Sequence, residues 1–251
     1  MRVVIDAASS ARRFASDKAF GRSVFRGRGD RRTVALTFDD GPTPDSIHVA
    51  RYLERSGIRA TFFQCGLNAL RHPEITRELA AAGHEIGNHT FSHRRLSPRV
   101  GWQMNFLSTE TIYREFAQTQ QIISELTGAD PVLMRPPYGL RWIGLKEVQR
   151  RLGLTAVLWT VIAHDWEWDA SAATEHVVGG ASPGGIICLH DGRDTRPNPD
   201  VSVTLNALKR IVPRLQELGY GFETVSQIIM PRTEPVWMDP TGDCTVDLVA
   251  R

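Results

Sequence analysis

The chain has 251 residues, 41% of them hydrophobic and 23% charged, with a formal net charge of +2. These values are ordinary for a soluble globular protein and suit one large α/β barrel-type domain, or two small ones, with ample material for a core. No run approaches 18 apolar residues, so no membrane span is expected, and the three cysteines (Cys65, Cys188, Cys244) have neither metal-type spacing nor the even count of a disulfide framework.

Residues 1–32 carry nine Arg or Lys against Asp6, Asp17 and Asp30, a charge of +6 that leaves −4 for the rest. This basic N-terminal arm could meet an anionic surface, but a solvated terminus is the commoner outcome. The mildly acidic remainder argues against a nucleic-acid partner. No apolar stretch of signal-peptide type opens the chain, which reads as cytoplasmic as it stands; a secreted or periplasmic protein trimmed of its leader would look the same.

From residue 33 short apolar runs alternate with helical patterns, the rhythm of a parallel α/β sheet or barrel. Strands are expected at 33–39, 58–64, 84–88, 131–135, 155–162, 185–190 and 220–225. Val34-Ala35-Leu36 and Ile186-Ile187-Cys188-Leu189 are nearly unbroken apolar, as strands covered on both faces should be; Cys188 accordingly reads as a buried small hydrophobe. Helices are expected near 44–56, 67–82, 110–127, 143–152, 171–180 and 202–218. Asp45 and Ser46 are candidate caps for the first, and Gly57, Gly83, Gly128, Gly153 and Gly219 each follow a helical pattern where a left-handed residue is favoured. The domain expected from this rhythm covers 33–230, with 231–251 as a C-terminal tail.

Residues with chemistry collect where the strands finish. Thr37-Phe38-Asp39-Asp40-Gly41-Pro42 sets two carboxylates at the end of an apolar run, and His89-Thr90-Phe91-Ser92-His93 offers two imidazoles four residues apart. Two His and one carboxylate half-fill a coordination shell and leave room for water and substrate. The second carboxylate remains as a candidate base. Arg135-Pro136-Pro137-Tyr138-Gly139, Asp165-Trp166 and Leu189-His190-Asp191 follow, each at a strand end. Parallel barrels build their sites at that mouth. Taken singly each motif has a bland explanation, such as a turn, a cap or a core histidine; five in order make coincidence a poor account.

This ordered set resembles the polysaccharide deacetylases of the NodB-homology type, carbohydrate esterase family four, from about Thr33 to about Val225. The resemblance implies a distorted (β/α)7 barrel and a metal-dependent hydrolase that removes acetyl groups from a carbohydrate polymer or oligomer. It implies that Asp40, His89 and His93 hold a divalent metal, usually zinc, that Asp39 is the general base and His190 the general acid, that Arg135 orients Asp39, and that the Tyr138 backbone N–H helps bind the oxyanion. Trp166 and Leu189 are expected to line a pocket for the acyl methyl, with Asp165 among the substrate-side groups. The chemistry suits such a set: a metal lowers the pKa of bound water towards ~7 and polarises a carbonyl, a carboxylate takes the remaining proton, and a histidine protonates the leaving amine. Two alternatives stay open, namely a deformylase or deacetylase of a lipid- or nucleotide-linked sugar, and a catalytically silent carbohydrate-binding protein.

One position departs from the pattern. Ile162 stands three residues before Asp165-Trp166, where members often carry an acid, so the carboxylate expected beside His190 is missing there. Asp165 or Asp191 would have to supply that charge, or His190 would titrate lower. His84 is a candidate for orienting the metal-binding loop from behind. The loop Gly192–Pro199 should hang over the mouth, its arginines meeting either an anionic sugar or phosphate, or only solvent. Trp102-Gln103-Met104-Asn105-Phe106 offers aromatic surface near the second motif, with packing beneath a loop the more frequent use.

Overall fold

A computed structural model describes residues 17–96 and 107–230. The expected aromatic segment at 102–106 and the tail at 231–251 lie outside the described residues.

Among the described residues, nine strands form one sheet: β1 (Ser23–Val24), β2 (Thr33–Asp39), β3 (Thr61–Gln64), β4 (Glu85–Asn88), β5 (Leu133–Met134), β6 (Thr155–Val157), β7 (Val161–Ile162), β8 (Gly185–His190) and β9 (Gly221–Phe222). Their order is β1-β6-β5-β4-β3-β2-β8-β7, with β9 beside the start of β2, and every pairing is parallel. The expected strand 155–162 is two strands. Its first half pairs with β5 and its second half with β8, so one segment curls the sheet round from edge to edge. The result is the distorted barrel of parallel strands and outer helices that the sequence leads one to expect. Part of the arm also joins it: β1 pairs with β6, and Arg141 holds Asp17 at 2.7 Å.

Strand parity decides what faces the interior. Along β2, Val34, Leu36 and Phe38 pack outward in one cluster with Val49 and Leu53 of α1 (Ser46–Arg55) and Leu208 and Ile211 of α7 (Ser202–Glu217). Ala35 packs inward with Phe63, Leu133, Val157 and Ile186. Successive strand side chains alternate between faces, so Thr37 and Asp39 follow Ala35 inward. On β8 the same parity sends Ile187 and Leu189 out to the helices and puts Ile186, Cys188 and His190 inside.

The helices follow local signals. Pro73 splits the expected 67–82 helix into α2 (Gly66–Arg71) and α3 (Pro73–Ala81), with His72 between them at φ −132, ψ 57; the residue before a proline is pushed out of helical geometry. Ser108 caps α4 (Thr109–Thr127) by accepting from Thr111 N–H, and Gly128 ends it at φ 73. Ile112, Phe116, Ile122 and Ile123 form its buried stripe. Then come α5 (Leu145–Leu152), α6 (Ala170–Gly180), which Asp169 caps, and α8 (Val225–Ile229) with a Thr224–Gln227 capping box. Asp45 sits at the cap of α1 without a side-chain cap bond, and Ser46, the first helical residue, turns its hydroxyl to Asp191 at 2.6 Å. No helix among the described residues is long and apolar enough to cross a membrane.

Candidate active site

A cavity of about 780 Å³ opens at the C-terminal ends of the strands and is lined by Asp39, Asp40, His89, His93, Tyr138 and His190, with Trp159, Ile162, His164 and Trp166 along one wall. Asp40 follows the last residue of β2 and takes the left-handed conformation, φ 75. That turn brings its carboxylate to the same side as Asp39, where strand alternation alone would have sent it away.

Asp40, His89 and His93 meet in a tight, buried group whose ligand atoms all lie within 4.8 Å of one another. Asp40 Oδ1 is 3.3 Å from His89 Nε2 and 3.1 Å from His93 Nε2. His89 Nδ1–H donates to Arg135 O at 2.6 Å, which leaves the Nε2 lone pair pointing at Asp40. His93 Nδ1 lies 2.6 Å from Asp194 Oδ1, close enough to polarise the ring although the approach is off-line for a hydrogen bond. Asp40 Oδ2 accepts from Asp194 N–H, while the inner oxygen, Oδ1, is buried without a hydrogen-bond partner. Burial penalises the Asp40 charge, but the adjacent His89 and the fields of His93 and His190 outweigh it and hold the carboxyl well below the usual range. An orphan carboxylate oxygen facing two imidazoles whose outer nitrogens are already engaged is a donor set that fits a divalent cation, and the outer contacts are those that fix ligating histidines.

Arg135 is fully buried and serves Asp39. Its Nη1 donates to Asp39 Oδ1 at 2.6 Å and to Thr37 Oγ1 at 2.8 Å, and Nε and Nη2 donate to the carbonyls of Val157 and Leu158. Asp39 Oδ2 is thereby left towards the cation group, 3.9 Å from His89 Nε2. Cys188 Sγ also approaches that oxygen, at 3.5 Å. Burial, with Asp39 beside it, pushes the thiol well above its ordinary pKa, so it is an S–H donor.

Beside Asp39, in register with it on β8, stands His190. Its Nδ1 is 2.8 Å from Asp165 Oδ1, and its backbone N–H donates to Asp165 Oδ2, which also accepts from Thr204 Oγ1. Burial alone would lower the His190 pKa; the charge and hydrogen bond of Asp165 reverse this and raise it to about 9. Asp165 therefore supplies the charge that Ile162 lacks. Asp191 turns away, accepting from Ser46 Oγ and Gly41 N–H. Ile162 itself lines the cavity wall.

Three expectations need correction. Leu189 does not face the cavity: it is fully buried in the outer core, and its neighbour Cys188 takes the inner place. Asp165, expected among substrate contacts, engages His190 with both oxygens and is only 2% exposed. His84 lies before β4, at the far end from His89; its Nδ1 accepts from Ala60 N–H, and burial lowers its pKa to about 4. Trp166 does line the cavity, edge-on to His190 with ring centroids 4.9 Å apart. Tyr138 lines it too, in a tight turn at φ 60, its hydroxyl 3.3 Å from Asp194 Oδ1. In the Gly192–Pro199 loop, Arg193 donates to Asp165 O and Arg196 is exposed at the rim. Sequence reasoning missed Asp194 altogether. It missed Cys188 as a site residue although counting back two from His190 would have found it.

The polysaccharide deacetylase family profile matches residues 26–157, and the chain belongs to that family. It is similar to the peptidoglycan-N-acetylglucosamine deacetylase of Listeria monocytogenes, 31% identical over 199 residues that make up 78% of this chain and 39% of that protein. The chain thus spans about two fifths of that relative's length. A chitooligosaccharide deacetylase of Azorhizobium caulinodans is 34% identical over 200 residues, 76% of this chain and 91% of the relative. The crystal structure of the Bc1960 peptidoglycan N-acetylglucosamine deacetylase superposes with a TM-score of 0.73 at 32% identity, covering 85% of this chain and 94% of that one.

Proposed function

We propose that this chain is a metal-dependent deacetylase that hydrolyses the N-acetyl group of N-acetylglucosamine residues in a carbohydrate polymer or oligomer. The observation that carries it is the inward-facing trio of Asp40 Oδ1, His89 Nε2 and His93 Nε2, set beside Asp39 and sharing one cavity with His190, which Asp165 holds. Two relatives of different printed substrate, peptidoglycan and chitooligosaccharide, share this amide chemistry.

Asp40, His89 and His93 would hold the cation, with zinc the ion best suited to two imidazoles and one carboxylate. When bound, it lowers the pKa of water and polarises the acyl carbonyl. Asp39, its Oδ1 held by Arg135, takes the proton of the attacking water on Oδ2. The Tyr138 backbone N–H donates to the oxygen that gains charge, a type of contact worth roughly 3–4 kcal/mol. His190, kept as imidazolium by Asp165, gives its proton to the departing amine. Trp166, edge-on to His190, walls the space beside that proton.

Acetate release measured across chitin oligomers, acetylxylan and peptidoglycan fragments tests the reading. N-acetylated substrates should respond and acetylxylan less so. Asp39→Asn should keep the cation and lose turnover. Substantial activity in that variant, or no acetate from any substrate by the cation-loaded protein, would overturn it.

A further inference from the structure

A second set of donors lies behind the first. Cys188 faces inward two residues before His190, and its register partner on β2 is Thr37, two before Asp39. Asp39, Cys188 and His190 each present one ligand atom, and these three atoms lie within 4.8 Å of one another. We propose that this trio is a second cation site, selective for thiophilic divalent ions such as cadmium or excess zinc, and that filling it silences the centre.

The donors divide the ions. The Asp40 group has carboxylate and imidazole only, whereas this one adds sulfur, which favours soft ions over magnesium or calcium. Each donor has an atom to give. Arg135 occupies Asp39 Oδ1, so Oδ2 is left towards the thiol. Asp165 occupies His190 Nδ1, which leaves Nε2 and anchors the ring as an outer carboxylate does for a ligating histidine. Donors around a tetrahedral zinc-sized ion stand roughly 3.3–3.8 Å apart, given bonds of about 2.0–2.3 Å. The group therefore needs to contract by at most about 1.5 Å.

Entry is from the cavity, since Asp39 and His190 line it while Cys188 is fully buried behind them. Binding displaces the thiol proton, and the second imidazole proton where His190 carries one, into water; no electrons change hands. An ion held here occupies the proposed base and the proposed acid together. Inhibition would come from excess cation added to a loaded first site, not from its exchange.

The test reads binding rather than turnover. Metal-free protein receives one equivalent of Zn2+ and is then titrated with Cd2+, followed by calorimetry and by near-ultraviolet absorbance for sulfur-to-cadmium charge transfer. A thiolate band that grows with a second equivalent is expected. Cys188→Val should abolish both band and second equivalent and retain the first; Asp40→Asn should weaken the first and retain the band. If Cys188→Val fails to fold by circular dichroism, Cys188→Ser keeps a donor of similar size without the soft sulfur and should also lose the band. No band in the wild type at tenfold excess, or an undiminished band in the Cys188 variant, would overturn the proposal. The first equivalent reports on the Asp40 group separately, so failure of the deacetylase reading and failure of this one are distinguishable.

Discussion

Replacing Asp165 by Asn removes one buried charge and nearly preserves shape, since an amide oxygen can still accept from His190 and Thr204. In the native protein burial works against the His190 charge, and Asp165, with smaller help from Asp40 and Asp39, overrides it and raises the pKa from about 6.5 to about 9, a net shift that corresponds to about 3 kcal/mol in favour of the imidazolium. Because the folded value lies above the unfolded one, that stabilisation is complete below about pH 6.5 and is lost as pH rises through about 9. Asp165 is itself held below its usual range, so its share disappears as pH falls below about 4. The stability gap between wild type and Asp165→Asn should therefore be widest near pH 6, about 3 kcal/mol, and nearly closed at pH 10. Urea denaturation followed by tryptophan fluorescence at the two pH values measures it. The alkaline limb of kcat should also move down in the variant. A bound cation pushes His190 down in both proteins, so the difference between them survives loading. An equal gap at pH 6 and pH 10, together with an unmoved alkaline limb, would refute the ion-pair argument.

Arg135→Lys keeps one charge but cannot reproduce donors to Asp39, Thr37 and two carbonyls from a fully buried position; a loss of about 3–5 kcal/mol in urea denaturation and a fall in kcat are expected. Removing the cation with a chelator leaves three acceptors facing one another. Adding Zn2+ back to a hundred times its Kd should then recover about 2.7 kcal/mol as a rise in Tm, and an unchanged Tm would count against the Asp40 site. Gly128 has φ 73 and open space where a Cβ would stand, so Gly128→Ala tests backbone strain alone. It should lower stability by about 1 kcal/mol in a thermal melt.

The strands were legible in the sequence because burial on both faces writes unbroken apolar runs, as in β2 and β8. The same feature hid the parity of β8: Ile187 and Leu189 are chemically like Ile186, so nothing in the run itself says which faces inward. His190 alone fixes the phase, and taking Leu189 as a pocket residue ignored it. β1 was invisible because two residues, Ser23-Val24, carry no pattern; they pair only because β6 offers an edge. Strand 155–162 read as one because its split comes from a change of partner, β5 to β8, which local sequence does not encode. Asp194 was hidden for a similar reason. It sits in a polar loop over a hundred residues from Asp40, and only the folded barrel brings its N–H to Asp40 Oδ2 and its carboxylate to His93.

Backbone strain draws the same boundary around the site as the side chains do. Six non-glycine described residues have positive φ: Asp40, Thr90, His93, Tyr138, His164 and Asp194. Five of them line the cavity, and the sixth, Thr90, lies on the turn between His89 and His93. Left-handed conformations are rare and costly outside glycine, of order 1 kcal/mol or more each, and persist only where surrounding contacts impose them. Here the contacts are visible. Asn68 Nδ2 holds the carbonyls of Asp40 and Asp194, Glu115 holds the N–H groups of Phe91 and Ser92, and Asn88 Oδ1 holds Thr90 N–H. A strand end delivers only every second side chain to the mouth. Reversing the backbone at Asp40 lets two consecutive carboxylates face one cavity, and the bends at Thr90 and His93 do the corresponding work for two imidazoles four residues apart. The strained residues are thus the means by which a regular barrel presents more donors at one point than its strand geometry allows, and Asn68, Asn88 and Glu115 are the residues that hold that arrangement in place.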